Sequence, residues 1–203
     1  FIGIRLGVLA AVNQNKPIDH AARIFSIVGW SFPIYVFGLM VLMVFYAKLD
    51  WFPAGRLSEW ALRATEAANY VQVTHMNTVD SLINGRLDIF LDSLRHLLLP
   101  VISLSYLSWA LILRVTRSSM LEALRQDYVT TARAKGLPES VVIRRHVQRN
   151  AMIPVATIGG LTIIGLMGGV VITETVFNIH GLGWFFADSA LHLDVISVLG
   201  FTL

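Results

Sequence analysis

Cysteine is absent from the 203 residues, which excludes a disulfide framework, a thiolate metal site and a cysteine nucleophile. Charge is scarce too. Asp, Glu, Lys and Arg make up 14% of the chain, against roughly 25% in an ordinary soluble domain. Also missing are a Gly-rich phosphate loop ending in Lys-Ser/Thr, a G-x-S-x-G elbow and an H-E-x-x-H pair, so the chain carries no ATP-hydrolysing, serine-hydrolase or zincin motif. Its histidines (His20, His75, His96, His146, His180 and His192) are scattered and form no close pair at metal-ligand spacing. No catalytic residue, bound cofactor or metal is expected in this chain.

What is present is apolar, at 55% hydrophobic residues. A membrane helix needs about 20 of them in a row. Ser26 to Ala47 and Pro154 to Phe177 satisfy this, and Leu97 to about Thr116 does so with Arg114 at its inner end. Phe1 to Val12, interrupted by Arg5, and Leu193 to Leu203 read as partial spans. The expected fold is all-α, a polytopic transmembrane bundle with about five spans in whole or part. Because the chain starts and stops inside apolar runs, it is expected to be a fragment of a longer protein.

Loop charge sets the expected orientation. From Arg114 to Asn150 there are eight basic residues against three acidic ones, whereas Lys48 to His96 holds five basic and six acidic. The division is therefore a transmembrane domain over 1–203, with a cytoplasmic loop at 117–150 and an extracytoplasmic loop at 48–96. In the outer loop, Trp51, Phe52 and Trp60 suit a membrane interface. Asn84-Gly85 marks a turn before "RLDIFLDSLRHLLLP", where Leu87, Phe90, Leu91 and Leu94 predict a short interfacial helix on the rim.

The inner loop holds the most structured polar stretch, "TTARAKGLPESVVIRRHVQRNAMIP". "DYVTTARAKG" predicts a short helix with Asp127 near its start and Lys135 near its end, matching the helix dipole. Gly136 can take a left-handed cap and Pro138 can begin the next helix. Glu139 to Asn150 then sets Val141, Val142 and Val147 opposite a basic edge. The result is a helix–turn–helix elbow. Ala132 and Ala134 are expected to let another surface approach closely, and the arginines to pair with carboxylates on it. In the last complete span, Gly159, Gly160, Gly165, Gly168 and Gly169 predict close helix packing or a pore-lining face. Glu174 stands near its outer end; an intramembrane acid can relay protons, but this position favours a hydrogen-bonded structural role. Pro33 and Pro100 mark possible kinks.

"SSMLEALRQDYVTTARAKGLPESVVIRRHVQRNAMIPV" resembles the EAA loop of ABC importer permeases, in the form found in dipeptide, oligopeptide and nickel uptake systems. "LGVLAAV", "LDWFPAGR", "LDSLRHLLLPVISLS" and "ITETVFNIHGLG" extend the resemblance over nearly the whole chain. Thr130 stands where the general motif has Glu, His180 where many relatives have Pro, and Arg5 where they tend to have an apolar residue or Pro. The resemblance implies a type I permease fold of about six spans in the full protein. It also implies a second permease, two cytoplasmic ATPase subunits that bind ATP and Mg, and an extracytoplasmic solute-binding protein, in a bacterial or archaeal cytoplasmic membrane. ATPase coupling would fall on Asp127, Thr131, Ala132, Arg133, Ala134, Lys135, Gly136 and Leu137. The alternative is a secondary transporter or channel that works without ATP; an intramembrane enzyme is disfavoured because Ser103, Ser105 and Ser108 have no histidine beside them.

Overall fold

The computed structural model describes residues 1–67, 69–168 and 170–202, the side chain of Thr202 excepted, and contains no strand among them. In chain order the helices are α1 (Ile2–Val12), α2 (Pro17–Ser31), α3 (Ile34–Leu42) continued by a π turn (Met43–Lys48), α4 (Glu59–Thr65), α5 (Asn77–Ile83) and α6 (Leu87–Leu124). Then come α7 (Asp127–Ala134), α8 (Glu139–Val141), a second π turn (Val142–Val147), α9 (Gln148–Met167), α10 (Val171–Val176), α11 (Leu182–Leu191) and α12 (Val195–Thr202). They divide into two compact units, Phe1–Phe32 with Ser105–Met167 and Pro33–Leu104 with Gly168–Leu203.

Four expected boundaries differ. The span from Ser26 to Ala47 is two helices, because Pro33 has no N–H to continue the ladder and forces the preceding residue out of the helical region. Phe32 is accordingly extended, at φ −91° and ψ 128°. The span from Pro154 to Phe177 also breaks, ending at Met167 and resuming at Val171. Gly168 lies in the intervening turn, and glycine costs a helix about 1 kcal/mol relative to alanine; Gly169 lies outside the described residues. In the other direction, the rim helix at Leu87 and the span from Leu97 are one helix, α6, which runs on to Leu124 despite Pro100. At 1.5 Å per residue it is about 57 Å long, more than the roughly 30 Å of hydrocarbon. It therefore takes up the last part of the 48–96 loop and the first part of the 117–150 loop. Likewise α8, its π turn and α9 form one apolar helix, Glu139–Met167, so the basic stretch and the span that follows are continuous. By length and composition Leu87–Leu124 and Glu139–Met167 can each cross a membrane, and α2 with α3 can do so if the bent pair counts as one span.

In the first unit, α1 lies so close to α6 that side chains are excluded. A Cβ on Gly3 would stand 3.0 Å from the Trp109 carbonyl oxygen, and one on Gly7 would stand 2.6 Å from Thr116 Cβ. Gly29 of α2 meets α6 in the same way, 2.7 Å from Ala110 Cβ. α2 is also tied to α6 by charge. Asp19 is fully buried and accepts from the Arg117 guanidinium at 2.5 and 2.9 Å, from Arg23 at 3.1 Å and from the Asn15 N–H at 3.0 Å.

In the second unit, Val41, Leu99 and Phe177 form one apolar core and Leu57, Ala61 and Ile89 another. Asp92 of α6 accepts the N–H and hydroxyl of Ser58 ahead of α4, at 2.8 and 2.7 Å. Arg95 donates to the carbonyls of Trp51 and Asp50. Buried Asp80 gathers the Thr74 N–H at 2.9 Å, the Thr74 hydroxyl at 2.8 Å and the Val73 N–H at 3.3 Å. Burial alone would push the Asp80 carboxyl up, but the bonds from Thr74, Val73 and His75 together hold it below its ordinary value.

Two outcomes follow. Gly7→Ala should lower thermal stability in detergent, by about 1–3 kcal/mol for overpacking, whereas Gly165→Ala, with open space around its Cβ position, should be neutral or slightly stabilising. A depressed carboxyl contributes stability that is present above its unfolded pKa and lost as pH falls through the folded one. The 71–76 segment should therefore become susceptible to acid protease only below about pH 4, and Asp80→Ala should make it susceptible to neutral proteases at pH 7.

Candidate functional site

The polar elbow at the base of the first unit is built on buried small residues. Val129 and Ala132 of α7 pack with Ala11 of α1, Met120 and Ala123 of α6, Val142 and Val147 of the π turn and Ala151 of α9. Alanine suits these contacts because it lets the short α7 lie close against three longer helices without loss of side-chain entropy. Ala132 thus does not face outward as expected. Its spacing from Val129 puts it on the inner side of α7, whereas Thr130, Thr131, Ala134 and Leu137 are exposed.

The corner has the anticipated backbone. Gly136 sits at φ +75° with nothing within 4 Å of a Cβ position, its N–H donating to the Arg133 carbonyl at 2.9 Å. Asp127 lies in the first turn of α7 and Arg133 in the last, as the helix dipole favours. Lys135 is the C-cap, and its N–H donates to the Thr131 carbonyl at 3.1 Å. Across the corner Arg133 and Glu139 form a two-pronged bridge of 2.6 and 3.1 Å. Both side chains are about half exposed, so the bridge fixes geometry and adds little stability. Pro138 caps α8 rather than opening it from within. Beyond it, Arg144, Arg145 and Ser140 border a shallow depression. The two arginines make no ion pair among the described residues. The elbow therefore offers an outer face of small, apolar and cationic groups on a rigid apolar base.

The glycine-rich face is placed differently from expectation. Gly159, Gly160 and Gly165 have no atom within 4 Å of a Cβ position, so no helix of the described chain packs on them. Close helix approaches fall instead at Gly3, Gly7 and Gly29 in the first unit and at Gly183 in the second, where a Cβ would stand 2.7 Å from the Val171 nitrogen. A signal for the first two was available, since "GIRLG" is a small-xxx-small pattern in an apolar helix. Glu174 lies in α10, where its carboxylate accepts the Trp184 N–H at 2.6 Å and the Val170 N–H at 3.3 Å. Gly181 is required beside it, because a Cβ there would stand 2.7 Å from the carboxylate carbon. Glu174 thus holds together the irregular backbone after α9. The Asp19–Arg117 pair, separated by 98 positions, had no local sequence signal.

Long apolar helices joined at one end by a polar elbow define a multi-pass helical membrane protein. Comparison with known proteins makes this specific: residues 3–203 match the model for the binding-protein-dependent transport system inner membrane component, and the chain belongs to that family. It is 42% identical over 193 residues to the di/tripeptide transport system permease protein of Pseudomonas aeruginosa, covering 95% of this chain and 55% of that one. It is 39% identical over 203 residues to a probable D,D-dipeptide transport system permease protein of Escherichia coli, covering 100% and 58%. It is 37% identical over 202 residues to an oligopeptide transport system permease protein of Bacillus subtilis, covering 100% and 56%. The chain spans little more than half the length of these relatives.

The corner makes a direct demand on sequence. Gly136→Val should destabilise the elbow by about 1 kcal/mol or more through the left-handed backbone, whereas Gly136→Asn, which tolerates that region, should recover most of the loss. Thermal shift in detergent reads the difference, and equal effects of the two variants would rule out a backbone origin.

Proposed function

We propose that this chain is the membrane-spanning permease portion of an ATP-driven, binding-protein-dependent importer of di- or oligopeptides in a bacterial or archaeal cytoplasmic membrane. It works with a second permease, two cytoplasmic subunits that bind and hydrolyse ATP with Mg, and an extracytoplasmic solute-binding protein. The chain itself catalyses no covalent step. Peptide cargo is favoured over nickel by the names of the relatives just described.

The observation that carries the reading is the seating of the elbow. An ATPase surface that grips Thr130, Thr131, Ala134 and Leu137 moves α7 as a rigid piece. Through Val129 and Ala132 that displacement reaches Ala11, Met120, Ala123 and Ala151 at the bases of α1, α6 and α9. Differential contact with two ATPase states then biases the helices between two arrangements. The basic excess around the elbow favours its placement on the cytoplasmic side.

The test is reconstitution of the complete complex. Ala134→Glu and Leu137→Asp should insert normally but cut ATP-dependent uptake by about tenfold or more, as loss of a buried interface anchor does, and should abolish stimulation of ATP hydrolysis by loaded binding protein. Ala132→Glu, which forces a carboxylate into the elbow's core, should instead lower the amount of folded protein. Uptake that persists without ATP would support the secondary-transporter reading instead.

A further inference from the structure

Within the first unit, α2 and the C-terminal part of α6 border an open groove of about 480 Å³. Its two ends differ in chemistry. Along α2 the lining runs from Arg23, which shares Asp19 with Arg117, to Ile27 and Trp30, and Leu113 and Arg114 of α6 complete it. Arg23 and Trp30 are two helical turns apart, about 10 Å along α2. That is the scale on which a phosphorylated headgroup gives way to acyl chain.

The cationic end is only partly neutralised. Asp19 is the carboxylate that engages Arg117 and Arg23, so three guanidiniums against one carboxylate leave an excess of two positive charges. Arg114 is exposed and forms no ion pair among the described residues. Arg23 Nε is a buried donor with no acceptor. The hydroxyls nearby do not compete, because Ser26, Ser31 and Ser118 each donate to a carbonyl of their own helix. What the groove has to spare is guanidinium N–H, which matches phosphate oxygen. At the other end Ile27 and Trp30 are 63% and 61% exposed, and tryptophan favours the headgroup level of a bilayer.

We propose that this groove binds the phosphodiester of an anionic phospholipid, with the glycerol and first acyl segment lying along Ile27 and Trp30. Free phosphate shares the anionic chemistry and would meet the arginines, but it gains nothing from the apolar end, so the lipid is the occupant that uses both. Basic pockets between membrane helices recruit anionic headgroups in this way. The site goes beyond the transport reading and requires only that α2 and α6 meet a bilayer.

The experiment uses the full-length protein with its partner subunits in nanodiscs containing brominated phosphatidylglycerol or brominated phosphatidylcholine. Trp30 quenching is isolated by subtracting the Trp30→Phe protein. Phosphatidylglycerol should be preferred, and Arg114→Gln, which leaves the Asp19–Arg117 pair intact, should reduce that preference by on the order of fivefold. Arg114→Lys should retain most of it, and millimolar inorganic phosphate should not displace the brominated lipid. Equal quenching by both lipids, no Trp30 quenching by either, or unchanged preference in Arg114→Gln would overturn the proposal. Displacement by inorganic phosphate would assign the groove to a soluble anion and overturn the lipid assignment.

Discussion

The first unit turns on one buried carboxylate. Asp19 has no exposed surface, and an ionised group in that position costs several kcal/mol unless partners replace its water. It has four donor contacts, from the Arg117 guanidinium twice, from Arg23 and from the Asn15 N–H. Arg117 is thereby fixed on α6 and Arg23 on α2, so both elements meet in one register. With that register set, Gly29 can lie against Ala110, and the groove lined by Arg23 and Arg114 follows from the same contact. A hydrophobic pair would hold two helices as firmly. It would not specify which turn of α2 meets which turn of α6.

The second constraint is the backbone's need for hydrogen-bond partners where water is scarce. Three departures from regular helix among the described residues come with a device that meets it. Pro33 ends α2 at a residue with no N–H to lose. After α9 the chain turns, and the carboxylate of Glu174 collects the Val170 and Trp184 N–H groups. At the elbow, the N–H groups of Lys135 and Gly136 return to α7 carbonyls.

This explains what could be read from the sequence and what could not. The all-α class, the elbow and its corner glycine were legible because hydropathy, charge asymmetry and a Gly-x-Pro pattern are local signals. The continuity of α6 was not, because the charged residues Asp88, Asp92 and Arg95 make its first turns read as a separate surface helix until their partners are known. Asp92 serves Ser58 and Arg95 serves the carbonyls of Asp50 and Trp51, all of them distant in sequence. The inward turn of Ala132 was missed for a different reason. An alanine reads equally well as a contact site for a partner or as a small core residue, and only its neighbours decide.

The arrangement of the elbow has a mechanical consequence. A short helix moves as one piece only as far as its inner side is held, and α7 is only eight residues long, too short to be stable as an isolated helix. Its rigidity is borrowed from the alanines and valines beneath it and from a corner whose geometry Gly136 and the Arg133–Glu139 bridge both define. The residues that stiffen the elbow are therefore not the ones that it exposes. Val129, Ala132 and Val147 are buried in the base while Ala134 and Leu137 are exposed, and within α7 the helical period is what keeps inner and outer residues apart.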